Sequence, residues 1–226
     1  MTRACFILIL AVIAGGFGVR AADEKDLPLV FQDNFAAGAG AWQPTDPAAW
    51  KIIDAGVGKA FSQFKQSTYK PPHRSPFNFA LVKDVIVGDC VLEARVRSTA
   101  RDYPHRDVCL IFGHRDPAHF YYVHLGQRTD DHANQIFIVN GADRTKISTK
   151  TTDGTKWNDD WHRVRVARNV TTGEIQVYFD DMKTPCMTAT DKTFPSGRVG
   201  VGSFDDTADW SDVTVRGVKL VERPAK

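Results

Sequence analysis

The chain has 226 residues, 29 of them basic and 27 acidic, for a formal net charge of +2. Hydrophobic residues supply 42% and aromatic residues 11%, which suits a packed core and excludes a disordered polar chain. A near-neutral balance without a basic stripe argues against a nucleic-acid partner.

Residues 1–21 read as a signal peptide. Arg3 precedes an apolar run over residues 4–17, and Val19-Arg20-Ala21 places small residues where a signal peptidase cuts. The expectation is export to the periplasm or beyond. The run is too short to cross a bilayer, so no membrane span is expected. Arg3 and Arg20 fall inside this leader, and without them basic and acidic residues are equal in number. Residues 22–226 then form one domain, with a core over about 30–220.

From there the chain reads as strands in series. VFQDNF (30–35), WKIID (50–54) and FNFALV (77–82) come first, and KQSTYKPPHRSP (65–76) is a loop because its prolines cannot donate to a ladder. VLEARVR, DVCLIFG, FYYVHL, QIFIV and KIST follow, separated by turn residues such as Asp116-Pro117 and Asn140-Gly141. The clearest pattern lies in WHRVRVARN (161–169) and GEIQVYFDD (173–181). Val164, Val166, Ile175, Val177 and Phe179 alternate with polar neighbours, the period of half-buried strands. GRVGVGSFDD and DWSDVTVRGVKL close the chain. No segment keeps a helical period, and about twelve to fourteen strands predict an all-β, two-sheet antiparallel sandwich of the jelly-roll kind. Cys90, Cys109 and Cys186 lack metal-type spacing, and buried free thiols are the expectation over a bridge.

The sequence of Trp-His with alternating valines, Gly-x-Ile-x-Val-Tyr-Phe-Asp, Gly-Arg-Val-Gly-Val-Gly and a last Asp-Val-x-Val strand resembles the concanavalin A-like lectin/glucanase superfamily. Laminin-G-like modules and 3-keto-disaccharide hydrolase domains are nearest in pattern. The resemblance spans residues 30–220 and implies the fold. It implies no single activity, because the scaffold carries lectins, binding modules, hydrolases and lyases. It also suggests a structural calcium ion tying first and last strands, for which Asp33 and Asp212 are the candidate ligands.

Strand facing supplies the candidate site. With Leu92, Ala94 and Val96 inward, Glu93, Arg95 and Arg97 point out. With Tyr121, Val123 and Leu125 inward, Tyr122 and His124 point out, and with Ile136 and Ile138 inward so does Gln135. His105 and Arg106 lie just before one of these strands. Arg95, His105, Arg106, Tyr122, His124 and Gln135 are therefore the expected ligand-binding set for a carbohydrate on an outer sheet face. Planar polar groups engage sugar hydroxyls there and aromatic rings cover the C–H face. Were the chain a glycan-cleaving enzyme, His124 and Tyr122 would be its acid–base pair. A laminin-G-like protein-interaction module is a further alternative.

A glucanase-type carboxylate pair, about 5 Å apart in retaining enzymes, is not visible in the sequence. Asp205 and Asp206 are adjacent and would face opposite ways on a continuing strand. The lyase-like NQIFI carries Phe137 where a histidine is wanted. His105, His114, His119 and His124 crowd into twenty residues, and a hairpin at Asp116-Pro117 would bring His114 and His119 together for a transition metal.

Overall fold

The computed structural model describes residues 26–56 and 58–220. Residues 1–21, read as a signal peptide, lie outside that range. Fifteen strands and no α-helix are found among the described residues. In chain order they are β1 (Leu29–Asp33), β2 (Trp42–Pro44), β3 (Trp50–Asp54), β4 (Lys59–Gln63) and β5 (Asn78–Ser98). Next come β6 (Asp107–Asp116), β7 (His119–Gly126), β8 (Gln135–Asn140), β9 (Thr145–Lys146) and β10 (Ser148–Thr151). The last five are β11 (His162–Arg168), β12 (Glu174–Phe179), β13 (Met187–Thr190), β14 (Gly197–Ser203) and β15 (Ala208–Leu220).

All pairings are antiparallel, and they form two layers that share β5. The first runs β10-β13-β12-β11-β5-β15, with β1 and the β3–β4 hairpin on the far side of β15. The second runs β2-β5-β14-β6-β7-β8-β9. The N-terminal half of β5 pairs with β14 and its C-terminal half with β11 and β15. The hand-over falls near Asp84, a non-glycine residue at φ 54°, opposite a register shift between Arg198 and Gly200. Aspartate tolerates this left-handed conformation better than most side chains, so the strand bends there without breaking.

The interlayer core has the facing expected from the alternation. Leu92, Ala94, Val96, Val164, Val166, Ile175 and Val177 from one layer meet Val108, Leu110, Tyr121, Val123, Leu125, Ile136 and Ile138 from the other. Phe179, expected in that core, is only half buried and packs on Trp157 and His162. Cys90, Cys109 and Cys186 are all unpaired.

The outer face of the second layer departs from expectation. It is not solvated: Phe79, Leu81, Ile111, Phe120, Tyr122, Phe137, Val139 and Phe204 make a second apolar cluster. The proline-rich segment 65–76 lies across it, with Tyr69 and the flanking Phe77 packed against the cluster. Asp46 ties that segment down by accepting from the Thr68 amide (2.8 Å) and hydroxyl (2.9 Å).

Candidate functional site

Tyr122, His124 and Gln135 share the outer face of the second layer, as their alternation requires. They are not an open groove. Tyr122 is 0% exposed, and His124 and Gln135 are each 4% exposed, because the aromatic cluster and its covering segment close over the middle of the sheet. Burial also holds the Tyr122 phenol well above its ordinary range.

Polar chemistry surfaces where this face ends. Arg144 donates to the Tyr122 hydroxyl at 2.7 Å, and its guanidinium lies 4.6 Å from the Phe137 ring and 4.3 Å from Phe204. Such cation–π contacts hold a long side chain in one pose. Phe204 in turn stacks on the His124 imidazole, centroids 5.7 Å apart and planes at 7°. The guanidinium of the exposed Arg74 lies 5.5 Å from the centre of the same Phe204 ring.

Beside His124 sit three carboxylates. Asp107, Asp205 and Asp206 each place an oxygen within 4.8 Å of the others. The condition for Asp205 and Asp206 to face opposite ways, a continuing strand, is not met: β14 stops at Ser203, and the following turn brings both close to Asp107. The turn is held by the Asp206 amide donating to Ser203 Oγ. Asp206 accepts from the Tyr103 hydroxyl (2.9 Å) and the Asp107 amide (2.8 Å). Asp107 Oδ2 accepts from the Phe204 amide at 3.0 Å, while Oδ1, fully buried, has no partner. His124 Nε2 is 3.3 Å from Asp107 Oδ2, yet neither ring nitrogen is aligned for a hydrogen bond. Two ionised carboxylates at this spacing repel by about 3 kcal/mol at an effective dielectric near 20. Burial first and Asp107 second push the Asp206 carboxyl up to about 6.

The remaining predicted residues lie elsewhere. Arg95 is on the outer face of the first layer, stacked over Trp161 at 5.4 Å and 3.4 Å from Asp212. The sequence could not show that β5 serves both layers, so Arg95 and His124 fall on opposite sides of the sandwich. Arg106 is 2% exposed and spends its guanidinium on Ser98, Asn158 and Asp159, a structural clamp. His105 pairs with Asp130 at 2.7 Å on the rim near Asp205.

The calcium expectation at Asp33 and Asp212 does not fit. Asp33 accepts from the Phe35 amide (2.7 Å) and Trp42 Nε1 (2.9 Å), and Asp212 faces Arg95. The crowded histidines do not converge either: His114 packs among Phe79 and Phe120, His119 against Asp116 and Phe194. A separate groove of about 870 Å³ runs along the outer face of the first layer. In it Glu93 is gripped by Arg163 (2.6 Å) and Arg165 (2.8 Å) beside Gln176, Tyr178 and Arg216.

The fold is a concanavalin A-like β-sandwich. It matches the carbohydrate binding module CBM66 from Bacillus subtilis with a TM-score of 0.55 at 18% identity, over 78% of this chain and 96% of that one. It also matches winged bean acidic lectin, solved with methyl-α-D-galactose, at TM-score 0.56 and 13% identity over 85% and 98% of the two chains. The Emp47p carbohydrate recognition domain gives TM-score 0.53 at 11% identity over 87% and 100%. No protein-family model matches the chain, and no curated protein sequence does. No helix among the described residues is long and apolar enough to cross a membrane.

Proposed function

We propose that this is an exported carbohydrate-recognising domain that takes its glycan at the end of the second layer's outer face. The observation that carries the reading is a polar rim set on the buried, already ordered stack Tyr122–Arg144–Phe204–His124. Arg74 and Asp205 are exposed on that rim, and His105 stands beside them. Guanidinium and carboxylate groups bind vicinal hydroxyls in pairs. Because the stack is already ordered by its own contacts, little side-chain entropy remains to be lost on binding. Three structural neighbours described as a carbohydrate binding module, a lectin and a carbohydrate recognition domain are in keeping with this reading.

The test is a glycan-array screen of residues 22–226 followed by titration of each hit. Arg74→Ala should weaken binding by about tenfold or more, equivalent to about 1.4 kcal/mol, with an unchanged melting temperature. No glycan bound, or full affinity in Arg74→Ala and His105→Ala alike, would remove this site.

A second reading, a glycan-cleaving enzyme, is favoured by one specific observation. A buried imidazole beside one carboxylate lies next to a second carboxyl raised to about 6, the makings of a base and an acid. Under it, His124→Gln lowers turnover of a bound glycan by about a hundredfold or more while affinity persists. Under pure binding there is no product to measure.

A further inference from the structure

The far end of the same outer face holds a feature that sugar recognition does not use. β6 carries Asp107 at one end and His114 near the other, and His114 lines a separate pocket of about 780 Å³. The floor of this pocket is a row across four neighbouring strands. Leu220 of β15 pairs with Ile86 of β5, Ile86 with Arg198 of β14, and Arg198 with His114 of β6. Opposite residues on paired antiparallel strands share a side, so half of the row is aliphatic and half is polar. Lys83, Arg115 and Lys219 also line the pocket, and all three are exposed.

Four cations therefore surround the pocket against one carboxylate, that of Asp84. None of the five belongs to an ion pair among the described residues. Two of the cations are ordered by neutral acceptors instead. Arg198 donates to Gln43 Oε1 at 2.6 Å, and Lys83 donates to the Gly40 carbonyl at 2.8 Å. Such bonds fix a pose and leave the charge whole. The first-layer groove differs, because Arg163 and Arg165 are matched there by Glu93. The uncompensated charge also reaches the pocket floor, where Arg198 follows burial as a cause that lowers the His114 pKa. Like charges gathered in a concavity draw in anions.

We propose that this pocket is a second ligand site, for a small organic molecule carrying two or more negative charges, of the phosphate-monoester or polycarboxylate class. The excess of cations over carboxylates calls for more than one negative charge on the ligand. Guanidinium forks engage phosphate and carboxylate oxygens alike in pairs, and ammonium groups add point charges. Ile86 and Leu220 call for a carbon body beside the charged groups, which favours an organic anion over inorganic phosphate. A pocket of this size suits a small molecule, and the near-neutral chain offers no basic track for a nucleic acid. This reading goes beyond glycan recognition and does not depend on it, since the rim at Phe204 lies past the other end of β14.

The experiment is an amide-shift NMR titration of residues 22–226 with citrate and, separately, phenyl phosphate, at pH 7.5 in 150 mM NaCl without sugar. Acetate and benzyl alcohol serve as the singly charged and neutral controls. Saturable shifts are expected for at least one polyanion, confined to the strands around residues 83–86, 114–115, 196–198 and 219–220. The tighter of the two identifies the oxyanion class. Its affinity should exceed that of acetate by about tenfold or more, because each added charge makes further charge-assisted bonds. Arg115→Ala/Lys219→Ala removes two exposed cations that hold no ion pair, so folding is not at stake, and should weaken the polyanion by about tenfold or more. Lys150→Ala/Lys183→Ala makes the same change in net charge at exposed positions off the pocket and should leave affinity unchanged. No saturation by either polyanion at about 20 mM, well past a millimolar dissociation constant, overturns the proposal. So does acetate binding equally well, or equal weakening by the two double variants. Because no sugar is present, failure here leaves the glycan reading standing, and a failed glycan screen leaves the anion reading standing.

Discussion

At the scale of single residues, one buried histidine, His114, contributes to the response to acid. His114 lies among Phe79 and Phe120 and is 4% exposed; burial first, then the Arg198 charge, lowers its pKa from 6.5 to about 4. Between those two values the unfolded chain binds a proton that the folded chain refuses. Stability from this source is therefore complete above pH 6.5, falls as pH drops toward 4, and is constant below that. The displacement corresponds to about 3 kcal/mol. His114→Phe, which keeps an aromatic ring in the same apolar surroundings, should flatten the stability profile between pH 4 and 6.5 in urea titrations. An unchanged slope would mean that the ring takes up its proton without difficulty in the folded protein. The sequence offered His114 as one of four crowded histidines. Only the packed aromatics around it show why it stays neutral.

At the scale of elements, two segments decide what the site is. The first is the Gly-Val-Gly run of β14. A Cβ on Gly200 would stand 2.3 Å from the Ala80 carbonyl oxygen and one on Gly202 2.3 Å from that of Asn78. Both collisions are with backbone of the paired β5, so neither side can yield cheaply. Gly202→Val should cost about 1–3 kcal/mol or more, as overpacking does, read as a lower denaturant midpoint. A midpoint within error of the wild type would show that β14 and β5 can separate without penalty. The second is the cover formed by residues 65–76. Asp46→Ala removes the acceptor for Ala48 and Thr68 together and should speed protease cleavage inside that cover, with fragments mapped by mass spectrometry. Uncut protein at the wild-type rate would mean that Tyr69 and Phe77 hold the cover without the tether. The sequence marked this stretch as a loop from its prolines, but nothing in the pattern said where the loop would lie.

At the scale of the whole molecule, stability rests on the interlayer core. Leu110 of β6 is 0% exposed and sits in the cluster that joins both layers, so Leu110→Ala should destabilise by about 2–5 kcal/mol. Ile111, its neighbour in sequence, belongs to the other cluster, beneath the cover. A cost for Ile111→Ala as large as that for Leu110→Ala would show that the covered face is as tightly packed as the core itself. Two apolar faces on one layer explain the unbroken run Cys109–Phe112. A strand buried on both sides loses its alternation, which is why DVCLIFG gave no facing of its own in the sequence while WHRVRVARN did.

The sequence by itself determined the class of fold and the inward face of the strands that alternate, such as β11, because both follow from local periodicity and turn chemistry. It placed Tyr122, His124 and Gln135 together correctly, since residues two apart on a strand, or opposite one another on paired strands, share a side. Tertiary structure alone decided that Arg95 faces the other way, because the bend at Asp84 carries β5 from one layer to the other. It alone brought Asp107 to Asp205 and Asp206 across about a hundred residues, since their meeting depends on where β14 stops and on its pairing with β6. Local pattern records which side of a strand is apolar. Which distant ends converge, and what covers a face, is fixed by strand order and loop packing, which no short window of sequence contains.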